Sequence, residues 1–193
     1  MDRGMARHHR VTFGGVVYHV CNRGSRKGPL FTSPEEYTAF VRLLADGRAK
    51  KPMRIIAYCL MPNHWHLLLW PVHDGDLSRF LQWITAMHAQ QFRKATNTVG
   101  QGAVYQSRFE AVGVTDLIHL LNVWRYVERN PVKARLVERA EEWKWSSAAH
   151  IPDGPNELML DPAPICRPSE WLTIINQDPE PSFFTSSLAE SIT

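Results

Sequence analysis

Apolar positions recur along this chain with two different periods, and the changes of period mark out its elements. Gly15 to Val20 alternates weakly and is rich in β-branched and aromatic residues (Val16, Val17, Tyr18, Val20), which predicts a first strand ending at Asn22-Arg-Gly24. Ser33-Pro34-Glu35-Glu36 then reads as an N-cap, a proline at the first helical position and acids in the first turn. Tyr37, Phe40, Val41 and Leu44 supply the apolar face of that helix, which Gly47 and Lys50-Lys51-Pro52 end. Met53 to Leu60 is a second strand. A tight Met61-Pro-Asn63 turn joins it to His64-Trp-His-Leu-Leu-Leu-Trp70, a run too short for a helix and closed by Pro71, hence a third strand. From Gly75 or Asp76 onward, Leu77, Phe80, Leu81, Ile84, Met87, His88, Gln91 and Phe92 recur at spacings of three and four. They form the stripe of a second helix, with Arg79, Arg93 and Lys94 off it. A loop at 97–102 precedes a fourth extended segment, Ala103 to Val114. Thr115-Asp116 caps a third helix, Leu117 to about Arg129, which Asn130-Pro131 interrupts.

The order βαββαβα with four strands is the split βαβ, ferredoxin-like pattern: an α+β sandwich with a four-stranded antiparallel sheet and its helices on one face. Residues 1–150 are expected to form that domain, and 151–193 a C-terminal extension. Seven prolines between Pro152 and Pro181 leave the extension room for one short helix, near Ser169 to Asn176 with Ser169 as its cap.

Composition narrows the picture. With 193 residues and 44% hydrophobic content there is enough for one core plus an appendage. No run approaches the roughly 18 apolar residues of a membrane span. Met1 to Arg10 has no signal-peptide core, so a cytoplasmic, nucleoid-associated protein is expected. Cys21, Cys59 and Cys166 are far apart and form no Cys-x-x-Cys, which suggests neither a disulfide framework nor a thiolate zinc site. The net charge of +3 hides an asymmetry: residues 1–139 hold 20 basic against 10 acidic side chains, and residues 140–193 hold 2 against 9. A basic body suits a polyanion binder, although charge alone is equally explained by solubility. The loop Asn22 to Gly28, with Arg23, Arg26 and Lys27, reads as a phosphate-contacting loop or as a solvated turn.

The candidate chemistry lies in two places. On the third strand His64 and His66 are two apart, so they share a face, with Cα atoms roughly 7 Å apart and rings able to aim at one cation. An isolated pair of this kind reads first as buried histidines bonded to backbone carbonyls. On the third helix Tyr126 and Asn130 are four apart and share a face, roughly 6 Å apart at Cβ. Asn130 is also an apt N-cap for a helix starting at Pro131. Trp124, Trp143 and Trp145 read first as buried packing and second as stacking platforms for unpaired bases.

Taken together, several motifs resemble the REP-associated tyrosine transposases, within the HUH single-tyrosine transposase superfamily. They are Gly15-Val-Val-Tyr-His19, Arg23-Gly24, Ala57 to Leu69 around His64-Trp-His66, Tyr105-Gln-Ser-Arg-Phe109, Arg125-Tyr-Val-Glu-Arg-Asn-Pro-Val-Lys-Ala134 and Trp145-Ser-Ser147. The resemblance covers about residues 11–150. It implies a Mg²⁺- or Mn²⁺-dependent endonuclease and strand transferase for single-stranded DNA near a hairpin, acting through a 5′-phosphotyrosine. On it, His64 and His66 match the metal-binding histidines, Tyr126 matches the nucleophile, and Asn130 falls where a third ligand is expected. Arg23, Arg26, Lys27, Gln106, Arg108, Arg125 and Lys133 are the expected DNA contacts, although Gln106 and Arg108 read equally as braces of the site. The resemblance is compatible with a monomer. A non-catalytic, structure-specific DNA-binding protein is the alternative. A hydrolase that uses water would need a carboxylate near the histidines, and the nearest, Asp74 and Asp76, lie beyond Pro71.

Overall fold

A four-stranded antiparallel sheet separates two apolar cores. The computed structural model describes residues 11–149 and 160–178. The elements are β1 (Tyr18–Arg23), α1 (Pro34–Lys50), β2 (Arg54–Met61), β3 (His64–Trp70), α2 (Asp76–Ala95), β4 (Glu110–Gly113), α3 (Leu117–Lys133) and α4 (Trp171–Asn176). Short 3-10 turns lie at Ser25–Lys27, Ala140–Glu142 and Ser147–Ala149. The strand order is β2-β3-β1-β4, so the α+β class and the split βαβ sheet agree with the sequence pattern.

The expectation that the helices share one face is corrected. Helices α1 and α2 share a core with Tyr18, Val20, Ile55, Tyr58, Leu60, Trp65, Leu67 and Leu69. Helix α3 lies on the opposite face, where Leu120, Val123, Trp124 and Val127 meet Val17, Ile56, Ala57, Cys59, Met61 and Leu68. The reason is in the strands: β2 and β3 are apolar on both faces, and a sheet with two apolar faces has to be covered twice. A bulge between Ile55 and Ala57 turns both Ile56 and Ala57 toward the α3 core before the alternation resumes.

Three boundaries also move. β1 starts at Tyr18, not Gly15, because Gly15 turns at φ 76 and its N–H bonds the Pro71 carbonyl. Only Glu110–Gly113 of the fourth extended segment pairs with β1, which leaves 103–109 as a loop held by a bridge between Gly24 and Tyr105. Helix α3 runs through Asn130-Pro131 to Lys133, so Asn130 caps no second helix. Pro131 falls in the last turn, where its missing N–H removes one ladder bond. The end is closed by a Schellman pair, Arg135 N to Val132 O and Leu136 N to Pro131 O (both 2.9 Å), with Arg135 at φ 57.

Residues 160–178 fasten to the sheet and to α3. Asp161 N bonds Ile55 O, the Asp161 carboxylate accepts from Ile55 N, and Arg48 pairs with it at 2.9 Å. Helix α4 begins at Trp171 with Glu170, not Ser169, at the cap position. The readings placed on Pro152, Pro155, Pro179 and Pro181 lie outside the described residues. No described helix is long and apolar enough to cross a membrane.

Candidate active site

Strand register assembles the site. β1 and β3 are antiparallel with Arg23 opposite His64 and Cys21 opposite His66, so strand alternation puts Arg23, Cys21 and His19 on one face with His64 and His66. Trp65 and Leu67 take the other face and enter the α1/α2 core. The two histidines therefore converge as their spacing predicts, with ring centroids 4.9 Å apart. Helix α3 crosses this same face. It sets the Tyr126 ring edge-on to His66 at 5.5 Å and to His19 at 5.7 Å.

Each ring has an anchor. His64 Nδ1 lies 2.7 Å from Asn63 Oδ1, and His66 Nδ1 lies 3.0 Å from His19 Nε2. Asn130 is buried, and its Nδ2 donates to the Tyr126 carbonyl at 2.9 Å. His66 is 1% exposed, and its Nε2 is a buried polar atom with no partner among the described residues. Burial lowers the His64 imidazole to about 4, with Arg23 adding to the effect. It lowers His66 well below the usual histidine value, with His19 and His64 contributing. Both rings are therefore neutral at pH 7 and offer lone pairs. Burial also raises the Tyr126 phenol to about 12, against which a side-chain hydrogen bond from Asn130 works.

Beside the histidines is a cleft of about 220 Å³ whose walls include Arg23, Lys27, His64, His66, Arg108 and Glu110. A wider depression of about 510 Å³ between α1 and α2 shares no lining residue with it and gathers no histidine. Of the expected DNA contacts, Arg23, Lys27, Gln106 and Arg108 line the cleft. The N–H of Gln106 bonds the Arg23 carbonyl, which ties that wall to β1. Arg26 sits in the 3-10 turn, exposed, with φ 54. Lys133 places Nζ 5.5 Å from the centre of the Tyr126 ring. Arg125 stands apart: its guanidinium donates to the Ile174 and Gln177 carbonyls at 2.9 and 2.5 Å and braces α4. The three tryptophans pack. Trp124 is buried against Trp171, Trp143 Nε1 donates to the Leu60 carbonyl, and Trp145 stacks on Tyr37 at 4.8 Å.

Two site residues escape a reading of the sequence. His19 joins the histidines only through the β1–β3 register, although its two-residue offset from Cys21 already put them on one face. Glu110 is the carboxylate of the cleft, with Oε2 3.8 Å from Cys21 Sγ. Asp74 and Asp76 hold structure instead: Asp74 accepts from Gly14 N, while Asp76 accepts from His73 N and pairs with Arg79 at 2.7 Å.

Comparisons with known proteins give the family and the fold. The family described as "Transposase IS200 like" matches residues 12–130. The chain belongs to this IS200-like transposase family. A curated Haemophilus influenzae protein, described as a candidate REP-associated tyrosine transposase, is 28% identical over 104 residues, covering 50% of this chain and 59% of that protein. The matched part is thus under two thirds of that relative's length. A solved structure of a REP-associated tyrosine transposase bound to a REP hairpin superposes with a TM-score of 0.59 at 24% identity, covering 74% of this chain and 82% of the other. It shows the same fold.

Proposed function

We propose that this protein is a metal-dependent endonuclease and strand transferase for single-stranded DNA that cuts beside hairpins through a 5′-phosphotyrosine. The observation that carries the reading is the Tyr126 ring 5.5 Å from the His66 ring, with His64 beside it and the buried His66 Nε2 without a partner among the described residues. The hairpin enters from the solved relative, whose bound DNA is a REP hairpin.

The donor set fits a divalent cation. Among the described residues no three His, Cys, Asp or Glu side chains cluster to hold a metal, and Asn130 supplies an amide oxygen as a third ligand of another kind. Two neutral imidazoles and a neutral amide leave the full charge of Mg²⁺ or Mn²⁺ available, and His64, His66 and Asn130 would hold it. Such an ion, when bound, polarises a phosphate through its non-bridging oxygens. The residues of the chain do the rest. Arg23, Lys27 and Arg108 draw the DNA backbone into the cleft. Tyr126 Oη attacks the phosphorus. An Oη–P bond forms, the P–O3′ bond breaks, the phenolic proton leaves and the 3′ oxygen takes up a proton, so the step is neutral overall. A phenol is protonated at pH 7 and burial raises this one further, so that proton has to depart as the bond forms. An incoming 3′-hydroxyl reverses the step with the phenolate as leaving group, which rejoins DNA without ATP. All four residues come from one chain, which suits a monomer.

The test is a denaturing gel of protein incubated with end-labelled, hairpin-containing single strands and Mn²⁺. A covalent band on the fragment 3′ to the cut is the expected result. Nicking without that band would mean attack by water, and hairpin binding without nicking would leave only a DNA-binding protein. His66→Ala should lower metal affinity and cleavage together and recover in part at high Mn²⁺, since mass action offsets a lost ligand.

Neutralising Arg23, Arg26 and Lys27 together tests the cleft wall. The slope of log K against log salt should flatten by about 2, at about 0.7 for each lost contact with single-stranded DNA. An unchanged slope would take this loop out of the interface.

A further inference from the structure

We propose that His19 is a positioning residue that fixes the tautomer of His66: His66 Nδ1–H donates to His19 Nε2, which leaves the bare lone pair of His66 on Nε2. The two nitrogens are 3.0 Å apart and both rings are buried. Their centroids are 5.2 Å apart and their planes are within 15°. The centroid separation exceeds the nitrogen separation by about the two ring radii, so the rings meet edge to edge rather than face to face. In that arrangement an in-plane N–H points along an in-plane lone pair, the geometry of a true hydrogen bond.

One proton lies between the two nitrogens, because 3.0 Å is the separation of a hydrogen bond and two bare lone pairs or two N–H groups would repel there. If it belonged to His19, His66 would carry its own proton on Nε2. That N–H would then be a buried donor without an acceptor, since Nε2 has no partner among the described residues. If it belongs to His66, the unpartnered atom is instead a lone pair, which a cation can use. The second assignment turns an otherwise costly orphan into a ligand, and it follows the general pattern in which a metal-binding histidine donates its other N–H to a neighbour. Register produces the contact: His19 is opposite Leu68, so it sits diagonal to His66 on the same sheet face. His64 has a different anchor, Asn63 Oδ1 at 2.7 Å, so the two ligands are oriented independently.

The consequence for metal binding rests on the ligand assignment proposed above, but the tautomer is measurable without any metal. Long-range ¹H–¹⁵N spectra of the metal-free full chain should show a pyridine-like Nε2 and a pyrrole-like Nδ1 for His66. The wild-type spectrum alone is decisive: a protonated Nε2 overturns the proposal. Two variants then separate positioning from packing. His19→Phe keeps a ring but no acceptor, and should release His66 to mixed tautomers and weaken Mn²⁺ binding, read by calorimetry, about 10- to 100-fold. His19→Gln places an amide oxygen near the position of the lost Nε2, and should restore both the tautomer and most of the affinity. An unaltered His66 spectrum in His19→Phe overturns the proposal. A wild-type protein with the expected tautomer that binds no Mn²⁺ supports the role of His19 and overturns the metal-site reading, so the two fail separately.

Discussion

On the proposed mechanism, Tyr126→Phe is expected to abolish strand cleavage and the covalent protein–DNA adduct together, while metal affinity, hairpin affinity and melting temperature stay near wild type. The substitution removes one hydroxyl. The ring keeps its edge contacts with His66 and His19 and its place under Lys133. Only a hydroxyl is lost from a half-buried ring, and the bond from Asn130 Nδ2 to the backbone carbonyl of residue 126 is kept, so stability should change by about 1 kcal/mol at most. On that mechanism the reaction loses its nucleophile outright, and no concentration of metal can replace it. This contrasts with His66→Ala, whose defect excess Mn²⁺ partly offsets. The measurement is a single-turnover assay on a labelled hairpin strand, run beside wild type with and without Mn²⁺. Residual nicking by the Phe variant would assign the attack to water, with Glu110 the carboxylate in the cleft to assist it, and the tyrosine reading would fall.

Glu128→Ala is expected to destabilise the fold by about 3–5 kcal/mol, the cost of taking a buried carboxylate from a partly exposed guanidinium and from three further donors. Glu128 is 0% exposed and accepts four hydrogen bonds. They come from Trp124 Nε1 at 3.1 Å and from Ser147 Oγ, Arg167 Nη2 and Trp171 Nε1 at 2.6 Å each. Ser147 Oγ in turn accepts from the Tyr58 N–H at 3.1 Å, so one carboxylate joins α3, α4 and β2. Alanine would leave a guanidinium, two indoles and a hydroxyl without their acceptor. Glu128→Gln keeps an acceptor and loses the charge, so its cost should be nearer 1–3 kcal/mol. Urea unfolding of the three proteins decides the matter, and a loss below about 1 kcal/mol for the alanine variant would show that the network is dispensable. Because Glu128 is two residues from Tyr126 on the same helix, cleavage should fall with stability.

That network also gives Trp145-Ser-Ser147 its physical meaning. In the sequence the motif is a cue of resemblance only, whereas in the fold Ser147 links the tyrosine helix to an edge strand and Trp145 stacks on α1 through Tyr37. Nothing local in the sequence marks Glu128, because three of its four donors come from segments outside α3.

What the sequence determined by itself is whatever depends on neighbours along the chain. The i, i+2 offset of His64 and His66 puts both rings on one face of any strand, and the i, i+4 offset of Tyr126 and Asn130 puts both on one face of any helix. Pro34 behind Ser33 starts α1 where the capping signal places it. Tertiary structure decided which helix covers which sheet face, because strands apolar on both sides carry no label saying which partner goes where. It also decided that α3 continues through Pro131, that Arg125 bonds α4 rather than lining the cleft, and that Glu110 and His19 join the histidines. Each of these depends on register or packing between segments tens of residues apart, and local periodicity contains no information about such pairings.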